Sequence, residues 1–270
     1  MNIIEAIILG IIQGATEFLP ISSSGHLVLL PVIFKMTPPD LTMVGLVHLG
    51  SLLAVLVYFR RDLWEIVTAV LAGLRERKPM NSTQSRLGWY IVVGCIPAAV
   101  TGLLLEDFFD SMFSQPVWVG FFLLVTAGLL VLGEKLLSGE KSFGTMTWTD
   151  TLVIGLFQTL ALFPGLSRSG STIVGGLLRG LDRSLAARYS FYWCAGHFRG
   201  GLAFPGGYCH DAAVDNQPGG LCRRLYFGGA GGLFVYLFFA ELGAYSQSLY
   251  FCRLLRPFGQ WLFALFIFGS

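Results

Sequence analysis

The stretch QGATEFLPISSSGH at residues 13–26 places a carboxylate, three serines and a histidine within an otherwise apolar part of the chain. The 270-residue chain is 54% hydrophobic and only 13% charged, whereas soluble domains are about 25% charged. This composition predicts an all-α polytopic membrane protein. Because polar groups are costly inside a bilayer, the cluster itself predicts a functional site.

The apolar runs on either side of this stretch are short. Run 3–19 is interrupted by Glu5, Gln13 and Glu17, and run 27–34 is far below the roughly 20 residues that cross a bilayer. Two short runs around a polar turn predict a re-entrant hairpin, which is tolerated at depth where protein or water covers its backbone. Residues 1–19 lack a basic leading segment, so we expect this run to be retained rather than cleaved as a signal peptide.

A second part of the chain repeats the layout, with runs 151–163 and 171–181 around the turn PGLSRSGST at 164–172. Shifting the sequence by 145 residues places 10–25 on 155–170 without a gap. The identical pairs are Gly10 and Gly155, Gln13 and Gln158, Phe18 and Phe163, Ser22 and Ser167, Ser24 and Ser169, and Gly25 and Gly170. Because polar positions are among the matches, we interpret the two segments as a duplicated half.

Full-length apolar runs at 41–59, 88–105 and 115–133 separate the two hairpins. Three crossings are an odd number, so the hairpins are predicted to enter the membrane from opposite faces. This is an inverted-topology repeat, in which paired broken helices build the site near the bilayer midplane. We therefore predict one membrane domain, 1–270, with repeat halves at about 1–135 and 146–270.

Basic residues predict the orientation, because cytoplasmic loops carry an excess of Lys and Arg. The loops 60–87 and 134–149 carry most of them before the second hairpin, whereas 106–114 is acidic and has none. We therefore expect 60–87 and 134–149 to be cytoplasmic and the N-terminus to lie outside. Arg179, Arg183 and Arg188 fit the cytoplasmic side.

The two turns together carry the groups that phosphoryl transfer needs. The second turn offers the Arg168 guanidinium, four hydroxyls and backbone N–H groups at a helix start, an arrangement suited to phosphate. The first turn offers Glu17, which can hold a divalent metal, and the Ser23/His26 pair. Gln13 and Glu17 are four residues apart and share a helix face. A net charge of +2 gives no case for nucleic-acid binding.

At QGATEFLPISSSGH and PGLSRSGST the chain resembles the undecaprenyl-diphosphate phosphatase family of the bacitracin-resistance type. The resemblance covers roughly residues 1–191. It implies a hydrolase of the bacterial inner membrane that removes the terminal phosphate of undecaprenyl diphosphate. This activity returns the lipid carrier to peptidoglycan and cell-wall synthesis, supports cell shape and confers bacitracin resistance. The resemblance further implies Mg²⁺ or Ca²⁺ as cofactor and a site open to the outer face.

The resemblance also implies roles for single residues. Glu17 matches the essential acid, Ser23 a proposed nucleophile, and His26 a histidine that serves as acid, base or competing nucleophile. Arg168 matches the phosphate-binding arginine, with Ser167, Ser169 and Thr172 as its hydroxyl partners. Gln13 stands where many members have Glu, so metal binding through Gln13 and Glu17 is expected to be weaker.

Several alternatives stay open. Ser23, His26 and metal-bound water are all chemically able to attack phosphorus. A transporter or flippase of a phosphorylated polyprenyl lipid would also use inverted repeats and an anion site. Ser22–Ser24 would serve equally as an N-cap for a helix starting near His26. His48 fits a helix-packing hydrogen bond or a place at the cavity wall. The oligomeric state stays open between a monomer and a homodimer.

The tail, residues 192–270, departs from the family. It holds four of the five cysteines and 14 of the 34 glycines, and its apolar runs at 225–240 and 257–268 are rich in Phe and Gly. We interpret it as a reading-frame shift near residue 192, with a divergent native tail as the alternative. His197 and His210 are given no role.

Overall fold

The computed structural model describes residues 3–113, 115–135 and 139–196. These residues form ten α-helices, with a 3₁₀ turn at Phe143–Thr145. The helices are α1 (Ile3–Phe18), α2 (Ser23–Phe34), α3 (Leu41–Tyr58), α4 (Arg60–Arg75), α5 (Thr83–Leu104), α6 (Glu106–Phe113), α7 (Pro116–Lys135), α8 (Trp148–Leu160), α9 (Arg168–Leu178) and α10 (Arg183–Gly196).

The helix lengths confirm the prediction of an all-α membrane protein. Among the described helices, α5 and α7 are each long and apolar enough to cross a bilayer, and α3 qualifies when joined to α4 across a 75° bend. On α5, Val92, Ile96, Val100 and Leu103 form one exposed apolar stripe. A stripe of that kind favours lipid over water as the surrounding medium. Entry of the two hairpins from opposite faces, and the sidedness of the loops, stay predictions.

The structure corrects the predicted loops. Segment 60–87 contains α4, and segment 106–114 contains α6. Run length missed α4 because its apolar residues are spaced along one face rather than clustered: Trp64, Val67, Leu71 and Leu74 recur at helical spacing, and all four are exposed.

Helices α2 and α9 also begin earlier than predicted, at Ser23 and Arg168. The cause is side-chain capping: Ser22 accepts a hydrogen bond from the Gly25 amide, and Ser167 accepts one from the Gly170 amide. An N-cap residue satisfies amides that have no partner inside the helix, so it fixes where the helix starts. The cap predicted within Ser22–Ser24 is therefore present at Ser22, and the helix starts three residues before His26, where we expected it.

Several basic residues that we interpreted as topology signals form ion pairs. Asp150 at the start of α8 is fully buried, and its carboxylate accepts from Lys141 (3.1 Å) and Arg179 (2.8 Å). Arg188 on α10 donates to Asp62 on α4 (2.7 Å). These pairs connect the loop before α8 to the end of α9, and α4 to α10, so the basic residues have a structural use in addition to any role in orientation.

Glycines bring α5 and α8 into backbone contact. A Cβ at Gly155 would lie 2.5 Å from the Gly94 carbonyl oxygen, and one at Gly94 would overlap the buried Trp193 ring. Small residues at such positions let membrane helices approach closely.

We expect Gly155→Ala to lower the midpoint of thermal unfolding in detergent, because the added methyl group forces α8 away from α5 at a cost of about 1–3 kcal/mol. Gly128→Ala on α7 is the matched control, since a Cβ there meets no atom within 4 Å. Equal midpoints for the two variants would contradict the close approach of α5 and α8.

Residues 197–270 lie outside the described residues, and with them His197, His210 and the predicted apolar runs 225–240 and 257–268. The described helix α10 extends to Gly196, and its Tyr192 and Trp193 are both buried. The reading-frame shift and the bounds of the repeat halves stay predictions.

Candidate active site

The turn between α1 and α2 meets the turn between α8 and α9. A Cβ at Gly25 would lie 3.2 Å from Gly165 Cα, and a Cβ at Gly170 would lie 3.0 Å from the Pro20 carbonyl oxygen. Each glycine, early in its helix, therefore lies against the turn of the other hairpin. Under the 145-residue shift Gly25 corresponds to Gly170 and Pro20 to Gly165, so the two contacts are reciprocal.

The two helix starts share the same side-chain capping contacts. In the first, Ser22 Oγ accepts from the Gly25 amide (3.4 Å) and lies 3.3 Å from Ser24 Oγ. In the second, Ser167 Oγ accepts from the Gly170 amide (3.1 Å) and lies 3.3 Å from Ser169 Oγ. The residues matched in sequence thus adopt matched capping. The first residue of each helix differs, and it is Ser23 in α2 and Arg168 in α9.

The backbone of the first turn is strained at Ser22, whose φ is 69°. The left-handed region is uncommon for residues other than glycine, and it is found where surrounding contacts hold the chain in place. The corresponding Ser167 has an ordinary φ of −76°. The strain therefore belongs to the turn that carries Ser23.

Glu17 is the point at which the two turns are joined. Its Oε1 accepts from Arg168 Nη2, and its Oε2 accepts from the Ser23 hydroxyl and from Gln13 Nε2 (3.1 Å). One carboxylate thus contacts the first residue of each helix, with a different oxygen for each. The arrangement brings together a cation, a hydroxyl and a base able to take the hydroxyl proton.

His48 on α3 completes the surroundings of Glu17. Its Nε2 lies 4.0 Å from Glu17 Oε2, and its Nδ1 lies 2.8 Å from the Val44 carbonyl oxygen. His48 therefore lies at the cavity wall, one of its two interpretations, and its hydrogen bond lies within its own helix rather than between helices. The resemblance gave no role to His48, since only the fold brings α3 to this position.

A cavity of about 220 Å³ opens at this junction. Both turns supply its walls, together with α3; the lining residues are Thr16, Glu17, Ser22, Ser23, Ser24, His48, Ala161, Leu166, Ser167, Arg168 and Ser169. Predicted site residues Glu17, Ser23, Ser167, Arg168 and Ser169 are therefore brought to one cavity. Residues from two distant parts of the sequence share this space, as the inverted repeat predicts.

Three other predicted site residues do not line the cavity. His26 is buried, with its Nδ1 2.7 Å from the Ser22 carbonyl oxygen. Thr172 lies one turn along α9 from Arg168, and its hydroxyl is 2.7 Å from Ser190 Oγ on α10. Gln13 is fully buried behind Glu17. These contacts are structural, and direct roles for His26 and Thr172 in the chemistry stay predictions.

The site contains one carboxylate rather than a preformed metal cage. No group of three or more His, Cys, Asp or Glu side chains suited to a metal ion occurs within residues 3–113, 115–135 and 139–196. Mg²⁺ is commonly held by one or two carboxylates plus substrate phosphates. Glu17 fits that pattern. Gln13 turns its Nε2 toward Glu17 from behind the cavity, and its buried Oε1 has no hydrogen-bond partner.

Thr126 on α7 fixes the second turn, a role that the sequence analysis missed. Its hydroxyl donates to the Gly165 carbonyl (3.0 Å) and accepts from the Ser167 amide (3.1 Å), and all these groups are buried. Gly165 itself has a φ of +96°, and a Cβ there would overlap the Val119 carbonyl. The sequence feature that could have indicated this role is a single Thr within the apolar run of α7.

We expect Thr126→Val to reduce both stability and any activity of the site. Valine matches the shape of threonine but leaves a buried carbonyl and a buried amide without partners, at about 1–3 kcal/mol for each group. Thr126→Ser keeps the hydroxyl and is the control. The midpoint of thermal unfolding in detergent and the affinity for phosphate should both fall in the Val variant and be largely preserved in the Ser variant. A Val variant with an unchanged midpoint and unchanged affinity would argue against this contact.

The chain is similar in sequence to known proteins. The sequence model of the family described as "Bacitracin resistance protein BacA" matches residues 6–267. An "Undecaprenyl-diphosphatase" of Myxococcus xanthus (strain DK1622) is 43% identical over 191 residues, which are 71% of this chain and 64% of the relative. The chain therefore aligns to less than two thirds of the length of that relative.

Two further relatives carry the same name. An "Undecaprenyl-diphosphatase" of Chlorobium limicola is 42% identical over 198 residues, covering 71% of this chain and 70% of the relative. One from Thermomicrobium roseum is 45% identical over 198 residues and covers 71% of each. The alignments cover a smaller share of the chain than the family match does.

Proposed function

Since the chain belongs to the family described as bacitracin resistance protein BacA, we propose that it hydrolyses undecaprenyl diphosphate to undecaprenyl phosphate and phosphate. The family and the relatives named undecaprenyl-diphosphatase support this reaction. The observation that carries it is the double contact of Glu17, with Arg168 on one oxygen and Ser23 on the other. Recycling of the lipid carrier and bacitracin resistance follow from the reaction.

Ser23 is the nucleophile in this proposal. Its hydroxyl donates to Glu17 and lines the cavity, whereas His26 is buried outside the lining. A hydroxyl becomes an effective nucleophile when an adjacent base takes its proton. Glu17 takes that proton as Ser23 Oγ bonds to the terminal phosphorus, and undecaprenyl phosphate leaves.

Water then completes the cycle. It attacks the phosphoserine at phosphorus, inorganic phosphate is released, and Glu17 returns its proton to Ser23 Oγ. Overall one water is consumed, and the side chains end in their starting protonation states. Arg168 and the amides at the two helix starts offset the charge of the diphosphate in a site of low dielectric, where such contacts are strongest.

Mg²⁺ or Ca²⁺ is proposed as cofactor, held by Glu17 and the substrate phosphates. The metal would supply charge neutralisation on the diphosphate. Because position 13 carries an amide, we expect a higher metal requirement than in members with two carboxylates.

The protein is proposed to reside in the bacterial inner membrane, with its cavity open to the outer face. The basic content of 60–87 and 134–149 supports this orientation. A homodimer is compatible with the proposal.

Phosphate release from a polyprenyl diphosphate by detergent-purified protein tests the proposal. We expect release with Mg²⁺ or Ca²⁺, and its loss with chelator. A folded protein, verified by a cooperative thermal transition, that releases no phosphate with either metal would refute it.

Transport of a phosphorylated polyprenyl lipid is the second candidate, favoured by the paired broken helices around an anion-binding cavity. Liposomes separate the two functions. Movement of labelled lipid between leaflets without phosphate release would support the transporter, whereas release without movement would support the phosphatase alone.

A further inference from the structure

We propose that α4 lies along the membrane–water interface and binds anionic phospholipid headgroups there. The surface concerned, the α4 face, consists of an exposed apolar stripe and the arginines at its two ends: Arg60, Trp64, Val67, Leu71, Leu74 and Arg75. It is separate from the cavity between the two turns, since no residue of α4 lines that cavity. It does not depend on the reaction proposed for the cavity.

The α4 face has an apolar centre and a cation at each end. Its apolar residues recur at spacings of three and four, which places them on one side of the helix. Trp64 is 70% exposed and Leu71 is 60% exposed. Arg60 precedes Trp64 by four residues, and Arg75 follows Leu71 by four, so both arginines project from the same side as the stripe. Amphipathic helices of this kind, with Trp and Leu between basic residues, are typical of membrane interfaces.

The bend before α4 favours a helix along the surface over a helix that continues across the membrane. Helices α3 and α4 are together apolar enough for one span, but they are bent by 75°. The charged residues Arg60, Arg61 and Asp62 occupy the bend, and adjacent charges are costly within a bilayer. Arg60 donates to the Val57 carbonyl (2.9 Å), which fixes this cation at the bend. The bend therefore lies at the level of the headgroups, and α4 runs from there along the surface.

The inner side of α4 is held against the beginning of α5. A Cβ at Gly88 would lie 3.1 Å from Ile66 Cγ2, and a Cβ at Gly73 would lie 3.2 Å from Ser85 Oγ. Ile66 and Gly73 are both buried. Because α5 begins at Thr83, these contacts lie in the first turns of a span rather than at its middle. The fold thus presents the α4 face as a fixed surface at the boundary of the membrane.

The cations at the end of α4 favour anionic over neutral lipid. Arg75, Arg77 and Lys78 are all exposed, and none of the ion pairs in the described part of the chain involves them. Basic clusters beside membrane segments bind anionic headgroups. An acidic protein would match these cations but would not cover an apolar stripe, whereas a lipid interface supplies both phosphates and acyl chains.

The acidic residues of the segment do not neutralise this surface. Asp62 accepts hydrogen bonds from two side chains of α10, at 2.7 and 2.6 Å. Glu76 accepts from the Asn81 side chain (3.2 Å). Glu65 directly follows Trp64, so it projects from a different side of the helix. The α4 face therefore keeps an excess of positive charge.

Thermal unfolding of the full chain in neutral detergent tests the surface, because a ligand that binds only the folded protein raises the unfolding midpoint. The protein is titrated with phosphatidylglycerol or with phosphatidylcholine of the same acyl chains. We expect phosphatidylglycerol to raise the midpoint much more than phosphatidylcholine, and the difference to shrink at high salt because salt screens exposed charges. Equal effects of the two lipids would leave the cations for an acidic protein partner and would overturn the proposal.

The triple variant Arg75→Gln/Arg77→Gln/Lys78→Gln should weaken the affinity for phosphatidylglycerol by about 100-fold, since each basic residue near an anionic surface contributes about fivefold. Arg75→Lys/Arg77→Lys keeps the charges and should keep the affinity, which separates charge from local packing. Lys35→Gln removes an exposed lysine at the end of α2 and is the control. A triple variant with wild-type affinity would overturn the proposal.

The cavity also offers an anion site, so the titration is repeated with Arg168→Ala. A preference for phosphatidylglycerol that persists in Arg168→Ala and is lost in the triple variant supports the α4 face. A preference lost in Arg168→Ala and kept in the triple variant would place the lipid in the cavity and overturn the proposal. Glycerophosphoglycerol, the headgroup without acyl chains, should bind far more weakly than the lipid, because the apolar stripe has to be covered by chains.

Discussion

Replacing Glu17 by Gln is expected to lower the rate of phosphate release by roughly 10³-fold, within the range that a general base contributes. The amide keeps the size of the side chain but cannot take the Ser23 proton. It also removes the negative charge opposite Arg168, so the base and the ion pair are lost together. The measurement is the initial rate of phosphate release at saturating polyprenyl diphosphate in detergent.

Glu5→Gln is the matched control, because Glu5 lies on the same helix but outside the cavity lining. Its Oε1 accepts from the Thr37 amide, and an amide oxygen can also accept this hydrogen bond. We expect near wild-type release from this variant. A Glu17→Gln enzyme as active as the control would show that Glu17 is not the base.

Arg168→Ala should lower the rate of phosphate release by a similar factor, about 10³-fold. Loss of one preorganised donor at a developing charge lowers the rate by about 10²–10³-fold, and this variant also removes a full positive charge. Lysine at this position restores the charge without the planar fork of donors, so Arg168→Lys should recover part of the rate. Release kinetics over a range of substrate concentrations separates binding from turnover.

The alanine variant leaves Glu17 without its cation, so its folding has to be verified by thermal unfolding in the same detergent. Arg183→Ala is the control for loss of an arginine, because Arg183 pairs with Glu134 at the surface, away from the cavity. Full activity of Arg168→Ala in a folded protein would remove Arg168 from the site.

The polar turns could be predicted from sequence because the surrounding chain is so apolar. Glu17, Ser23 and Arg168 interrupt runs that would otherwise be lipid-soluble, and such interruptions are costly unless they have a use. The 145-residue shift added the pairing of the turns, and the described geometry places the matched serines in matched caps. Here the polar residue types and their apolar surroundings both indicate the same two turns, so one sequence was sufficient to predict them.

Other features depend on contacts between distant segments and could not be predicted. Thr126 resembles an ordinary polar residue within an apolar helix, and only the packing of α7 against the second turn gives it its contacts. For His48 the cavity wall was one of two interpretations, and only the packing of α3 selects it. Helix α4 was not predicted, because its apolar residues are spaced along one helix face and form no continuous apolar run. Thr172 has a contact with Ser190 on α10 that its motif position did not indicate, and its role in phosphate binding stays a prediction.

The central claim is that Glu17 and Arg168, 151 residues apart, act as one unit. A double-mutant cycle with Glu17→Asp and Arg168→Lys measures this directly, because both replacements keep the charge and leave rates that can be measured. We predict that the double variant loses far less activity than the product of the two single losses, since residues that act as a unit are strongly non-additive. Single losses that multiply in full would mean that the two turns work independently and would contradict the shared site.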